Sequence, residues 1–201
     1  KVAVDVAVGA AYAGRRALAT MKHVGVNVAA DSVFYASMTG MEAGLVIVTA
    51  DDPAMHSSQN EQDNRRYAKF ARIPCLEPSD SQEAKDMVGV AFDLSEQLDT
   101  PVFLRLTTRV CHSSTAVELA EDAETLIAQG KPPLDKFPRN PAKYIMIPGH
   151  ARRRHPVIEE RIRLAADLAE TFPFNRVEWG DTSMGIVTCG VSYQYAREVF
   201  P

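Results

Sequence analysis

The sequence predicts an α/β fold built on a parallel sheet, and three observations carry that prediction. Short apolar, β-branched runs alternate with helix-period segments from Arg16 through Arg109, the order that builds parallel sheets. Leu45-Val-Ile-Val-Thr49 is uninterrupted and apolar, which is how a strand buried on both sheet faces reads. Polar stretches follow two of these runs directly, Lys22-His23 and Asp51 to Asp63, and open α/β folds hold ligands outside the carboxyl ends of their strands.

Taken in order, Lys1 to Gly14 is ambiguous: Val2, Val4, Val6 and Val8 alternate as in a strand, while Ala3, Ala7, Ala10, Ala11 and Ala13 favour a closely packed helix ending at Gly14. The small residues tip the balance to helix. No N-cap or turn precedes it, so the chain is expected to begin inside a larger protein. Arg16 to Met21 reads as a buried strand, Val24 to Ser37 as a helix, Leu45 to Thr49 as the central strand, and Asp63 to Arg72 as a short helix. Pro74 to Glu77 is a short strand. Asp80 to Leu98 is a long helix with Ser79 or Asp80 at its N-cap and Glu83 at capping-box distance. Val102 to Leu106 is the next strand.

Composition shifts after His112. Ala116 to Gly130 suggests an acidic helix or surface segment, and Lys131 to Lys143 carries four prolines, which favour an extended connector. Tyr144 to Ile147 is a candidate strand. Pro156 to Glu170 is an amphipathic helix with Pro156 in its first turn. Arg176 to Trp179, Gly185 to Thr188 and Gly190 to Phe200 read as strand, strand and helix.

The bulk properties exclude several functions. At 201 residues and 46% hydrophobic content the chain suffices for one or two domains with a buried core. A net charge of -4 argues against a nucleic-acid partner, whose phosphates need a basic surface. No apolar run reaches the roughly 20 residues of a membrane span, and no secretory leader opens the chain, so no membrane partner and a cytoplasmic location are expected. Cys75, Cys111 and Cys189 are far apart and are expected to be reduced. No metal-site spacing and no GxSxG elbow are present.

Two stretches carry chemistry. Lys22 and His23 at a strand-to-helix turn, with Gly25 and Asn27 just beyond, suit a carboxylate or phosphate held at a helix N-terminus; a merely solvated basic turn reads equally well. The loop Asp51-Asp-Pro-Ala-Met-His-Ser-Ser-Gln-Asn-Glu-Gln-Asp63 is longer than the usual 2 to 6 residues of a βα connection, which favours function over a surface loop in which Ser57, Ser58 or Asn60 caps the next helix. Arg105, Arg109 and His112 form a basic group for which structural ion pairing is favoured over ligand binding. Arg152 to His155 is a basic run ahead of a helix, read as an anion anchor or a solvated turn. The Gly185-to-Gly190 turn with Ser192 matches no phosphate-loop pattern.

At these residues the sequence resembles a known family. ALATMKHVGVNVAAD, GLVIVTADDPAMHSSQNEQDNR, FARIPCLEPSDSQEAKDM, TPVFLRLTTRVCHS, ARRRHPVIEERIR and NRVEWGD with GIVTCGVSYQY look like the α subunits of indolepyruvate ferredoxin oxidoreductases, thiamine-diphosphate-dependent 2-oxoacid oxidoreductases. The resemblance implies a thiamine-diphosphate-binding fold, with residues 1–115 as the pyrimidine-binding domain, 116–175 as a connector and 176–201 as the start of a transketolase C-terminal-like domain. It implies oxidative decarboxylation of an aryl-2-oxo acid, acyl transfer to coenzyme A and electron transfer to ferredoxin. Magnesium, iron–sulfur clusters, a diphosphate-binding domain and a β subunit would lie outside this chain, and an oligomer is expected.

Within the chain the resemblance gives Lys22, Gly25, Asn27, Ser57, Ser58, Gln59, Asn60 and Glu61 as cofactor-binding. His23 and His56 are the candidates for proton handling or oxyanion stabilisation, since imidazole titrates near neutrality. The glutamate that activates the pyrimidine would lie immediately before Lys1, so the isolated chain is expected to be inactive. A non-catalytic α/β module that binds a partner subunit is the alternative; a stand-alone hydrolase or transferase is disfavoured by the missing nucleophile elbow.

Overall fold

The computed structural model describes residues 1–119, 134 and 136–200. Four strands, β1 (Ala17–Lys22), β2 (Leu45–Asp51), β3 (Cys75–Leu76) and β4 (Val102–Thr107), form one sheet in the order β1-β2-β4-β3, and every pairing is parallel. Parallel pairing puts all four carboxyl ends on one edge. Lys22 lies in register with Ala50, and Asp51 with Thr107, so the two polar stretches of the sequence do leave the sheet side by side.

The sheet is covered on both faces because alternate residues of each strand point opposite ways. Leu45, Ile47 and Phe103 pack against α1 (Val2–Tyr12), α2 (His23–Thr39) and α3 (Arg65–Ala71), through Val4, Ala11, Val26, Val33 and Ala68. Val46, Val102 and Leu104 pack against Met87 and Ala91 of α4 (Ser81–Leu98), with Phe172 and Phe174 at the margin. The apolar run 45–49 is therefore buried on both sides, as its lack of alternation predicted.

Local chemistry fixes the element ends. The ambiguous first segment is a helix whose buried face is Val4, Ala7 and Ala11, and the chain leaves it through Gly14 at φ 78°. The Asp80 carboxylate accepts the Glu83 N–H at 2.9 Å, while the Glu83 carboxylate accepts the N–H of Ser79 at 2.8 Å, a capping box whose return bond lands one residue early. Between α2 and β2, Gly44 lies so close to α4 that an added Cβ would stand 2.8 Å from the Phe92 carbonyl oxygen.

Beyond β4 the chain departs from the sequence reading in several places. A short helix α5 (Thr108–His112) follows the strand directly. Tyr144 to Ile147 is not a strand: Pro141–Tyr144 forms a helical turn, α6, started by Pro141 and by the Asn140 side chain, which accepts the Lys143 N–H at 3.2 Å. Pro156 is not in a first turn, because α7 runs Pro148–Ala169 and Pro148 takes that place. The basic run Arg152 to His155 thus lies inside the helix. Arg154 donates to the carbonyls of Met38 (3.0 Å) and Thr39 (3.1 Å), and Arg161 to that of Ser37 (2.8 Å), so α7 satisfies the last carbonyls of α2. Asp99, itself at φ 50°, holds both arginines.

Arg176 to Trp179 and Gly185 to Thr188 form no strand; Val177, Trp179 and Val187 are 74%, 86% and 101% exposed. β-Branched and aromatic residues favour a pleated surface that other strands complete, and among the described residues no strand stands beside these segments. The expected helix at the end is present as α8 (Val191–Val199). Most of the acidic segment 116–130 and part of the proline-rich stretch 131–143 lie outside the described residues.

Candidate functional site

The carboxyl edge of β1 and β2 brings the two predicted stretches together. Lys22 ends β1 and is the N-cap of α2, and its Nζ donates to the Ser57 carbonyl at 2.7 Å. His23, the first residue of α2, is fully buried, and its Nε2 stands 3.2 Å from the Asn60 carbonyl oxygen. A carbonyl only accepts, so Nε2 carries a proton, and in the neutral imidazole Nδ1 is the acceptor. That buried Nδ1 has no partner among the described residues. One turn on, the Asn27 amide donates to Gln62 at 2.7 Å and receives the Tyr67 hydroxyl. Three side chains of one helix end therefore clasp the loop at residues 57, 60 and 62.

The remaining predicted residues fall into distinct classes. Ser58 is drawn inward, while His56, Ser57, Gln59 and Glu61 are exposed. The Glu61 carboxylate accepts the Ala54 N–H at 2.6 Å, closing the loop on itself. Gly25 is accounted for by packing, since a Cβ there would stand 2.9 Å from the Met21 Cβ. His23 and His56 share no hydrogen bond among the described residues. Ser57, Ser58 and Asn60 do not cap α3, as the surface-loop reading had it: its N-cap is Asn64, without a side-chain bond, and Asp63 accepts the Arg65 N–H at 3.1 Å.

Sequence reasoning passed over Asp52. Its carboxylate accepts from the Ser58 hydroxyl (2.5 Å), the Thr108 hydroxyl (2.7 Å) and the N–H groups of Ser57 (2.8 Å) and His56 (3.1 Å), and these bonds hold its pKa well below the usual carboxylate range. Around it the backbone is strained: Ala54 and Met55 take φ of 63° and 55°, a left-handed region that costs a non-glycine residue about 1–2 kcal/mol. The signal in the sequence was Asp-Asp-Pro at the end of a strand, together with the Thr107-Thr108 pair at the end of the neighbouring one.

Under the loop lies an ion network. Arg105 Nε donates to Asp51 at 2.6 Å, its other end reaches Glu77, and both Arg105 and Asp51 are nearly inaccessible. Asp51 also accepts the Asn64 N–H at 2.9 Å, so the start of α3 is pinned to the sheet. Arg105 is thus a structural ion pair. The basic group read from the sequence does not assemble, because Arg109 faces the Tyr195 ring 5.9 Å away and His112 is exposed. Cys75, with its thiol pushed up to about 12 by burial and then by the Glu77 charge, is no nucleophile at neutral pH. Gly190 opens α8 at φ 55° against Glu77, a close approach and not a phosphate loop.

Comparisons with known proteins give the chain a family. The family model described as pyruvate flavodoxin/ferredoxin oxidoreductase, thiamine diphosphate-binding, matches residues 2–175. The chain belongs to this family. It is 48% identical over 198 residues to the indolepyruvate oxidoreductase subunit IorA of Archaeoglobus fulgidus, and 48% identical over 199 residues to that of Thermococcus kodakarensis. The match covers 98% of this chain and 31% of each relative, so the chain spans about a third of their length. A solved transketolase mutant from Pichia stipitis aligns with a TM-score of 0.40 at 16% identity, over 86% of this chain and 29% of that one, a likeness too loose to build on. The fold is that of an α/β thiamine-diphosphate-binding protein.

Two further facts frame the site. A cavity of about 900 Å³ lies elsewhere, between β3, α4, the end of α7 and the tail, lined by Met87, Leu94, Phe172, Phe174 and Tyr193 among others. Among the described residues no group of His, Cys, Asp and Glu is placed to hold a metal ion, and no helix is long and apolar enough to cross a membrane.

Proposed function

We propose that the edge formed by Lys22, His23 and the loop 52–61 is one wall of a thiamine diphosphate site, in an enzyme that oxidatively decarboxylates aryl-2-oxo acids of the indolepyruvate type. Coenzyme A would take the acyl group and ferredoxin the electrons. One observation carries the reading: the fully buried His23 holds an Nδ1 acceptor that has no partner among the described residues, at the N-terminus of a seventeen-residue helix whose N-cap is Lys22. Such an acceptor costs about 1–3 kcal/mol while unmet. The family to which the chain belongs and the indolepyruvate relatives support the assignment.

The residues fit the cofactor's chemistry in outline. When bound, thiamine diphosphate would supply a nucleophilic carbon and an electron sink for the decarboxylation. This chain's part is to bind and orient. The helix end and Lys22 attract the substrate carboxylate, the His23 Nδ1 accepts an N–H or O–H presented to it, and the exposed His56 imidazole stands where a proton can be exchanged with solvent. Gln59, Asn60 and Ser57 line the rim. Magnesium and iron–sulfur clusters are assigned to the rest of the protein, along with the diphosphate-binding domain and the β subunit. We also infer the division into a pyrimidine-binding domain (1–115), a connector (116–175) and a following domain (from 176). A cytoplasmic oligomer is our reading; the three free cysteines are compatible with a reducing compartment.

The test is calorimetric titration of thiamine diphosphate into the full-length protein, paired with indolepyruvate-dependent reduction of ferredoxin. His23→Ala is expected to lower kcat/KM by about a hundredfold, the low end for a positioned proton carrier. A full-length protein that neither binds the cofactor nor turns over the acid would overturn the proposal.

A further inference from the structure

We propose that Asp52 is the positioning residue of this edge: its carboxylate serves neither as base nor as metal ligand, but as the post around which residues 53–58 are wound, setting where His56, Ser57 and Ser58 stand against Lys22. The effect expected on turnover rests on the thiamine diphosphate reading. The effect expected on the loop does not.

The argument starts from capacity. An ionised carboxylate offers about four lone-pair sites, and the four hydrogen bonds at Asp52 fill them. Oδ1 takes the His56 N–H at 3.1 Å and the Thr108 hydroxyl at 2.7 Å; Oδ2 takes the Ser57 N–H at 2.8 Å and the Ser58 hydroxyl at 2.5 Å. Lys22 Nζ lies 3.9 Å from Oδ2 and completes the charge balance. Nothing is left over to take a proton from substrate or to bind a cation, and the group is 3% exposed. Its donors come from the loop and from the start of α5, while Lys22 belongs to β1. One side chain thus ties three sheet-edge segments to the end of β2.

Strain makes the tie necessary. Ala54 and Met55 both sit in the left-handed region, where an isolated chain of these residues would not stay. The two ends of this strained piece are fixed from outside, by Glu61 on the Ala54 N–H and by Asp52 on the two amides that follow Met55. If Asp52 lets go, the turn can relax, and His56 and the Ser57 carbonyl that receives Lys22 move with it. Substitution by asparagine is a sharp test, because it keeps the shape and turns one oxygen into an N–H donor facing two other donors.

The experiment uses the full-length protein and follows amide hydrogen exchange together with steady-state kinetics. Asp52→Asn is expected to speed exchange at His56 and Ser57 about tenfold, a change equivalent to about one net hydrogen bond, while residues 45–51 of β2 exchange as before. Turnover should fall about tenfold or more with the substrate KM little changed, the signature of an interaction felt in the transition state. Adding Ala54→Gly to Asp52→Asn should recover part of both, since glycine takes the left-handed turn without strain. Wild-type exchange at His56 and Ser57 in Asp52→Asn overturns the proposal, and so does a freed loop with unchanged kcat. If the unaltered protein binds no thiamine diphosphate, the functional reading fails and exchange alone decides the loop. Should Asp52→Asn not accumulate, Ser58→Ala and Thr108→Val each delete one donor and should shift exchange in the same direction by less; no shift in either refutes the proposal.

Discussion

The sheet half of the molecule and its last thirty residues contain the same kind of sequence and end up differently. Leu45 to Thr49 and Val102 to Leu106 are short β-branched runs that became strands with every residue from 45 to 47 and from 102 to 104 essentially inaccessible. Val177, Trp179, Ile186 and Val187 are equally strand-prone and lie exposed, outside any ladder. A run becomes a strand where helices cover it and another strand accepts its backbone groups. The comparison teaches that β-propensity is a property of the site a segment occupies.

The difference should be visible in how much each half loses on substitution. The largest effect is expected for Arg105→Ala, which leaves the buried Asp51 without its cation and Glu77 with Arg65 alone; removing one partner of a buried pair costs about 3–5 kcal/mol. Denaturant unfolding of the variant checks this, and a loss near zero would mean that the network is not what pins α3 to the sheet. Next comes Arg161→Leu, which frees the Ser37 carbonyl and leaves Asp99 with Arg154 and Lys143 where α7 meets α2. A loss of about 1.5–3 kcal/mol is expected, with faster hydrogen exchange in α7 and little change in β2. Gly25→Val drives a side chain into Met21 where α2 leaves β1, and overpacking of this sort costs about 1–3 kcal/mol; the same unfolding curve measures it.

Much of this was legible beforehand, for reasons that differ by residue. The strands of the first half could be read because burial on both faces removes polar residues, and α4 because Asp80 and Glu83 cap it in sequence-local fashion. That Lys22 and His23 would share one sheet edge with the loop 51–63 followed from parallel pairing alone; that they meet needed β1 beside β2. The clasp itself was hidden: Lys22 to Ser57 and His23 to Asn60 are bonds to carbonyls, and every residue has one. Asp52 was hidden too, since its four donors include two backbone amides and a threonine more than fifty residues away. Arg154 reads as part of an anion anchor or a solvated turn, and nothing in the sequence singles out Arg161, because the α2 carbonyls that they cap lie over a hundred residues upstream.

A pH titration sharpens the contrast between the clamped loop and the open tail. Hydrogen bonds from Ser58, Thr108 and Ser57 depress the Asp52 pKa, so its clamp is at full strength above the ordinary aspartate value of roughly 3.9 and is lost as the pH falls through the lower folded value. Exchange protection at His56 and Ser57, corrected for intrinsic rates, should stay level from neutral pH down to about 4 and drop only below. A loss already at pH 6 would point to a histidine as the holding group. The smallest effect is expected for Trp179→Ala and Val187→Ser, whose side chains are 86% and 101% exposed; surface changes of this kind stay within about 0.5 kcal/mol. A larger loss would show that the tail is packed in solution, and would remove the distinction between the two halves.

The most direct test of the central claim is a hydrogen-exchange footprint of the full-length protein with and without thiamine diphosphate. Protection is expected at residues 21–27 and 53–61, the two stretches that the sheet edge brings together, with the groove beside Phe172 and Phe174 unaffected. Binding that protects the groove or the tail while leaving residues 21–27 and 53–61 unchanged would contradict it.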